Sequence, residues 1–228
     1  MSKLAQDLKT HILQGDPYEK FDWRKYPDDI SGGEIYPDMK EILDLVKPNF
    51  VIEVGTWKGA SAIHMADVLA MQGNKDFTIL CIDTWLGSIE HYIIDPSNPT
   101  WGLSERVFGV PTTYYQFLSN VCRRGLQENI VPFPNTSAIA YQWFVMQESL
   151  QADFIFIDAD HSEDECYLDI KRWYEMLAPG GVMAGDDFDP AFHGVIAAVN
   201  KFSREMHLKF IRTEYRHWMI QKPPIKNS

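Results

Sequence analysis

Cysteine is scarce. Cys81, Cys122 and Cys166 are the only three in 228 residues, an odd and widely spaced set with no CxxC. That excludes a disulfide framework or a cysteine zinc site and fits reduced thiols in a reducing compartment. Positive charge is scarce too: 21 Lys and Arg against 32 Asp and Glu leave a net charge of −11. Such a field repels phosphate backbones and anionic bilayers, so neither nucleic acid nor membrane is expected as a partner. No apolar run approaches the roughly 20 residues of a membrane helix, and Met1–Thr10 lacks the basic-then-apolar order of a signal peptide. A soluble, cytoplasmic protein is expected. Internal repeats and low-complexity stretches are also missing. The 45% hydrophobic and 23% charged residues match globular averages of about 45–50% and about 25%, and the length suits one main core.

What is present is an alternation of strand-like and helix-like segments. Phe50–Val54, Phe77–Ile82, Asn129–Phe133, Ala152–Ile157 and Gly181–Ala184 are short apolar runs bounded by turn residues. Helical spacing of apolar residues follows the first of them from Gly59 to Met71 and returns from Phe192 to about Met206. This order predicts an α/β fold, a doubly wound Rossmann-like sheet of about seven strands. Lys209–Arg212 and His217–Ile220 lie close enough in sequence to form an antiparallel edge. The division expected is an irregular N-terminal cover with a leading helix over residues 1–45, broken by Pro17, Pro27, Gly32, Gly33 and Pro37, then the main domain over 46–228. A second irregular region, Thr84–Pro111, carries Trp85, Tyr92 and Trp101. Its aromatics suit a cover over a ligand, or equally a hydrophobic plug or a contact in a homo-oligomer.

The turn Glu53-Val54-Gly55-Thr56-Trp57-Lys58-Gly59-Ala60-Ser61 falls where the first strand meets its helix, the position at which open parallel sheets bind ligands. Trp57 stands where a dinucleotide fingerprint needs its second glycine, and the P-loop lysine setting is absent. Glu53, two positions before Gly55, suits a cationic amino group, and Asp83, at the end of the second strand, can accept both ribose hydroxyls. The runs Val51–Ser61 and Cys81-Ile82-Asp83-Thr84-Trp85 resemble the first two motifs of the class I S-adenosylmethionine-dependent methyltransferases. The resemblance covers roughly residues 40 to 220. It implies that Glu53, Gly55, Gly59 and Ser61 line the methionine side of the cofactor and that Asp83 holds its ribose. Trp85 and Ser137, of Pro134-Asn135-Thr136-Ser137, then lie toward the adenine, although Ser137 equally suits a helix N-cap.

Two later strand ends carry carboxylates, Asp158-Ala159-Asp160-His161-Ser162 and Asp186-Asp187. If these strands are adjacent and parallel, Asp158, Asp186 and Asp187 share one small site, where like charges need a cation and three oxygen donors suit Mg²⁺, or Mn²⁺. The alternative is that the acids cap helices or solvate turns, as Asp160 and Ser162 can. The spacing of Asp158 to Asp186–Asp187 is similar to the metal triad of the metal-dependent O-methyltransferases. With His161 it looks most like the macrolide-sugar O-methyltransferase and cephalosporin-hydroxylase-like group, although Asp186 stands where that group often has Glu. The resemblance implies methyl transfer to a hydroxyl of a small molecule, a sugar or glycosylated metabolite, with Asp158 also beside the cofactor and His161 as general base. The other histidines are assigned no chemistry. A metal-independent methyltransferase, or an adenosyl-ligand binding protein without turnover, fits the same residues.

Overall fold

The computed structural model describes residues 2–31, 37–92, 105–147 and 150–225. Gly32, Gly33 and Trp101, assigned above to the cover and the long loop, lie outside the described residues. The strands are β1 (Phe50–Val54), β2 (Thr78–Asp83), β3 (Arg106–Val107), β4 (Val110–Pro111), β5 (Ile130–Pro134), β6 (Ala152–Ile157), β7 (Leu177–Gly185), β8 (Phe210–Arg212) and β9 (Trp218–Gln221). Seven of them form one sheet in the order β5-β2-β1-β6-β7-β9-β8, while β3 and β4 make a small hairpin of their own. The five strands from β5 to β7 are parallel, and β9 and β8 close the edge in antiparallel register, with Gly185 opposite Trp218.

The side-chain alternation of β1 assigns the two faces. Phe50, Ile52 and Val54 join the core beneath α1 (Lys3–Leu8), α5 (Ser137–Val145), α6 (Glu163–Glu175) and α7 (His193–Glu205). Val51 joins the opposite core, under α2 (Pro37–Val46), α3 (Ala60–Met71) and α4 (Thr113–Arg123). Both faces of β1 are therefore covered, which is why this strand carries no solvent-facing position. The fold is the doubly wound Rossmann-like sheet of seven strands expected from the sequence, with its antiparallel edge. Among the described residues no helix is long and apolar enough to cross a membrane.

Three local features differ from the sequence reading. Residues 3–8 are helical, not irregular: Ser2 caps the helix by accepting the Ala5 N–H at 2.9 Å, and Ala5 and Leu8 enter the core. Strand β7 begins at Leu177, because Leu177 pairs with Ala152 ahead of a register shift and the strand continues through Pro179-Gly180-Gly181. The hairpin β3–β4 stands inside the region read as irregular.

The chain runs outward from β1 through β2 to β5 and returns on the other side of β1 to β6. The connections leaving β1 and β6 therefore part at their carboxyl ends and open a crevice there. Gly55 sits at the parting point with φ +83°, and a Cβ built on it would lie 1.9 Å from the Asp158 carbonyl oxygen. Only glycine permits both that backbone angle and that approach.

Candidate active site

The turn from β1 to α3 is held from inside. Glu53 is fully buried and accepts hydrogen bonds from the hydroxyls of Thr56 and Ser61, with the Cys81 thiol 3.6 Å away. Burial dominates its titration: desolvation pushes its carboxyl up from an ordinary 4.5 to about 7, against the hydrogen bonds from Ser61, Thr56 and Cys81. Gly59 takes φ +87° and packs so closely on Phe117 that a Cβ would come within 2.9 Å of the ring. Lys58 points away from the turn, its Nζ 2.7 Å from Asp29 and 3.0 Å from Ser31, which fastens the N-terminal segment to this end of the sheet. Trp57, at φ +48°, lays its indole on the ring of His91 with centroids 4.3 Å apart.

Asp83 is the hinge of this arrangement. Its Oδ2 accepts the N–H groups of Thr56 at 3.0 Å and Trp57 at 2.8 Å, and its Oδ1 accepts the Trp85 N–H at 2.7 Å. A carboxylate offers about four acceptor positions, so the backbone uses most of them, and two ribose hydroxyls cannot both be added without displacing an N–H. Trp85 is not placed to stack on a ligand. Its indole is 2% exposed, packs on Tyr114 and Phe117, and donates its N–H to the Trp57 carbonyl at 2.7 Å. The aromatic surface of a tryptophan gains most by entering the core when its N–H finds a partner there. Ser137 is likewise engaged inward, donating to Asp169 and accepting the Trp173 indole N–H at 2.9 Å, while the cap of α5 is Thr136.

The acidic residues of β6 and β7 meet beside this turn. The Asp158 N–H bonds to the Val54 carbonyl at 2.8 Å, and the Asp186 N–H to the Ile157 carbonyl at 3.1 Å, so each strand end is stitched to its neighbour. Asp158, His161 and Asp187 place one ligand-type atom each within 4.8 Å of one another. His161 Nε2 lies 2.8 Å from Asp187 Oδ2, and its ring rests against Phe192 at 4.6 Å. Desolvation raises the Asp158 carboxyl well above the carboxylate range, and the charges of Asp186 and Glu53 raise it further. Asp187 turns into the cluster through a left-handed backbone, φ +60°. Asp160 stays outside and accepts the Ser162 N–H at 2.7 Å, closing a turn ahead of α6, whose N-cap is Ser162 and not Asp160.

Two residues of the site were not identified from the sequence. Because β9 runs antiparallel to β7 with Trp218 beside Gly185, the residues just before it, Arg216 and His217, arrive next to Asp186 and Asp187. Arg216 pairs with Asp187 through Nη2, and its Nε is 3.7 Å from Asp186 Oδ1. His217, 2% exposed, sits 2.9 Å from Asp38 of α2 on one side and 3.9 Å from Asp186 on the other. Assigning no chemistry to the later histidines therefore missed one that adjoins the cluster. The available signal was an Arg-His pair at the start of the expected edge strand His217–Ile220, which in the structure begins at Trp218.

Residues 52–188 match the methyltransferase domain family, and the chain belongs to it. Its fold is that of the class I S-adenosylmethionine-dependent methyltransferases. An O-methyltransferase from Bacillus cereus, solved in complex with SAH, superposes with a TM-score of 0.58 at 14% identity, covering 96% of each chain. TomG, an O-methyltransferase from Streptomyces achromogenes involved in tomaymycin synthesis and solved with SAM, gives 0.59 at 13% identity, over 98% of this chain and 96% of that one. The O-methyltransferase NovP gives 0.55 at 16% identity, over 82% and 78%. A search of curated protein sequences finds no match.

The buried Glu53 makes stability depend on pH. Below pH 4.5 the carboxyl is protonated whether the chain is folded or not; between 4.5 and 7 the folded protein keeps a proton that the unfolded chain releases. Stability therefore falls as pH rises through that window and levels off above it. Glu53→Gln removes the titration. Urea unfolding at pH 5 and pH 8 should show the variant gaining on the wild type by on the order of 2 kcal/mol across the interval; parallel pH profiles would show that Glu53 is ionised in the folded state.

Proposed function

We propose that the protein transfers the methyl group of S-adenosylmethionine to a hydroxyl oxygen of a small molecule, a sugar or glycosylated metabolite, assisted by Mg²⁺ or Mn²⁺. The observation that carries this reading is the contact of Gly55 with the Asp158 backbone, where a Cβ would meet the carbonyl oxygen at 1.9 Å. It sets the cofactor turn and the acid–imidazole cluster against each other in one crevice.

The geometry supports a definite set of residues for holding the cofactor. Gly55 and Gly59 keep the turn bare of side chains, Ser61 and Glu53 brace it from within, and Asp83 offers the ribose the acceptor capacity left on Oδ1. Trp85 and Ser137 support the turn and α5 from the core. S-adenosylmethionine, when bound, supplies an electrophilic methyl group, so the protein's part is chiefly alignment.

The donor set fits a hard divalent cation. Asp158 and Asp187 contribute carboxylates with Asp186 adjoining, and the desolvated, like-charged surroundings of Asp158 are relieved by added positive charge. An ion there would lower the pKa of a nearby hydroxyl. His161 is the group proposed to take the hydroxyl proton, its ring oriented by Asp187, whose Oδ2 lies 2.8 Å from Nε2. The stacked Trp57 and His91, together with exposed Tyr92, supply the aromatic faces that a sugar ring favours beside polar groups.

Calorimetry should show saturable binding of S-adenosylmethionine, weakened about tenfold or more in Asp83→Asn, since a charge-assisted bond is worth ~1.5–3 kcal/mol; no heat with any adenosyl ligand would refute the reading. Methyl transfer to glycosylated acceptors should stop on chelation and return with Mg²⁺. His161→Ala should lower kcat by ~10²–10⁴-fold with cofactor affinity unchanged. Full activity after chelation would remove the ion, and full activity of His161→Ala would remove the base.

A further inference from the structure

The carboxylate cluster is already faced by a cation from the chain itself. Arg216 lies in the connection between β8 and β9, and its position is fixed by the Phe188 N–H, which donates to its carbonyl at 2.8 Å. Its guanidinium pairs through Nη2 with Asp187 Oδ1, brings Nε to 3.7 Å from Asp186, and lies over the Phe192 ring with 5.3 Å to the centroid. The other oxygen of Asp187 faces His161 Nε2 at 2.8 Å. Both oxygens of a carboxylate that is only 6% exposed thus face nitrogen groups of the protein, although Oδ1 is held by charge and not by a regular hydrogen bond. A hard divalent cation needs anionic oxygens turned toward it, and here the cationic group nearest to them is a guanidinium.

We propose that Arg216 is the resident counter-cation of the Asp158–Asp186–Asp187 cluster, and that a divalent ion reaches Asp187 only in exchange for it. Arg216 then sets the ion affinity of the site. The inference rests on the metal reading given above. Two cations a few ångströms apart at the effective dielectric of a protein surface repel strongly enough to cost at least about tenfold in affinity. Losing the guanidinium with nothing in its place would leave buried like charges uncompensated, so the transition is an exchange and not a simple release. Phe192 gives the displaced group a place to rest, because a guanidinium over an aromatic face keeps a favourable contact without its carboxylate. The same ring touches His161, so the exchange takes place beside the proposed base.

Calorimetric titration of Mn²⁺ near neutral pH tests this without reference to turnover. Arg216→Met, which removes the charge and keeps most of the length, should bind Mn²⁺ at least about tenfold more tightly than the wild type, and Arg216→Lys should stay within about threefold of it. Equal affinity of wild type and Arg216→Met would overturn the exchange while leaving the ion reading intact. No Mn²⁺ binding by either would overturn the ion reading and the exchange with it. Nitrogen-15 spectra of the wild type keep the test open if the methionine variant does not fold. The Arg216 Nε–H signal, assigned by its loss in Arg216→Lys, should move on saturation with Mg²⁺; an unmoved signal with Mg²⁺ bound would contradict the exchange.

Discussion

Gathering five carboxylates at one end of a sheet costs free energy, and much of the local structure at that end answers this cost. Glu53, Asp83, Asp158, Asp186 and Asp187 stand at or just beyond the carboxyl ends of β1, β2, β6 and β7, partly or wholly out of water. Each is compensated differently. Asp83 accepts three backbone N–H groups in place of water, which is also what shapes the glycine turn. Glu53 is buried among hydroxyls and holds its proton up to about pH 7. Asp187 is paired with Arg216 and His161. Asp158 keeps the heaviest burden, desolvated and next to the Asp186 carboxylate, with Arg216 acting in the other direction.

This distribution gives the two halves of the crevice different chemistry. On the β1–β2 side the carboxylates are satisfied by the protein and shape the bare backbone of the turn that is proposed to receive the adenosyl ligand. On the β6–β7 side the acids face an imidazole and a guanidinium, and in the proposed exchange the guanidinium gives way to an ion. Rigid presentation on one side and exchangeable charge on the other are what a reaction limited by alignment of two substrates requires. The sheet supplies the spacing, because the register of β1 with β6 fixes the turn against Asp158.

Strands with strong apolar runs were legible in the sequence. The expected starts and ends of β1 and β6 coincide with those in the structure, and β2 and β5 differ by a residue at each end. The glycine turn, Asp83 and the two acidic strand ends were legible as well, because parallel strands bring their carboxyl ends to one side and residue identity marks the turns. What could not be read was register and side-chain direction. An antiparallel edge strand brings Arg216 and His217 to the acids only in one register, which the short runs around it do not specify. Trp85 follows the ribose acid directly, yet its indole found an inward partner in the Trp57 carbonyl, a tertiary contact with no local signal. Helix α1 was hidden by its brevity, its stability coming from the Ser2 cap and the burial of Ala5 and Leu8 and not from a long periodic pattern.

The central claim is that the crevice where β1 and β6 part is the adenosyl site. Amide hydrogen exchange, followed with and without saturating S-adenosylhomocysteine, tests it most directly, because the N–H groups of Thr56, Trp57 and Trp85 all report on the Asp83 carboxylate. Ligand bound there should slow exchange at these three amides and at Asp158 by about tenfold or more, leaving the edge strands β8 and β9 unchanged beyond Trp218. Unchanged exchange at Thr56, Trp57 and Trp85 in the saturated protein would place the ligand elsewhere and contradict the claim.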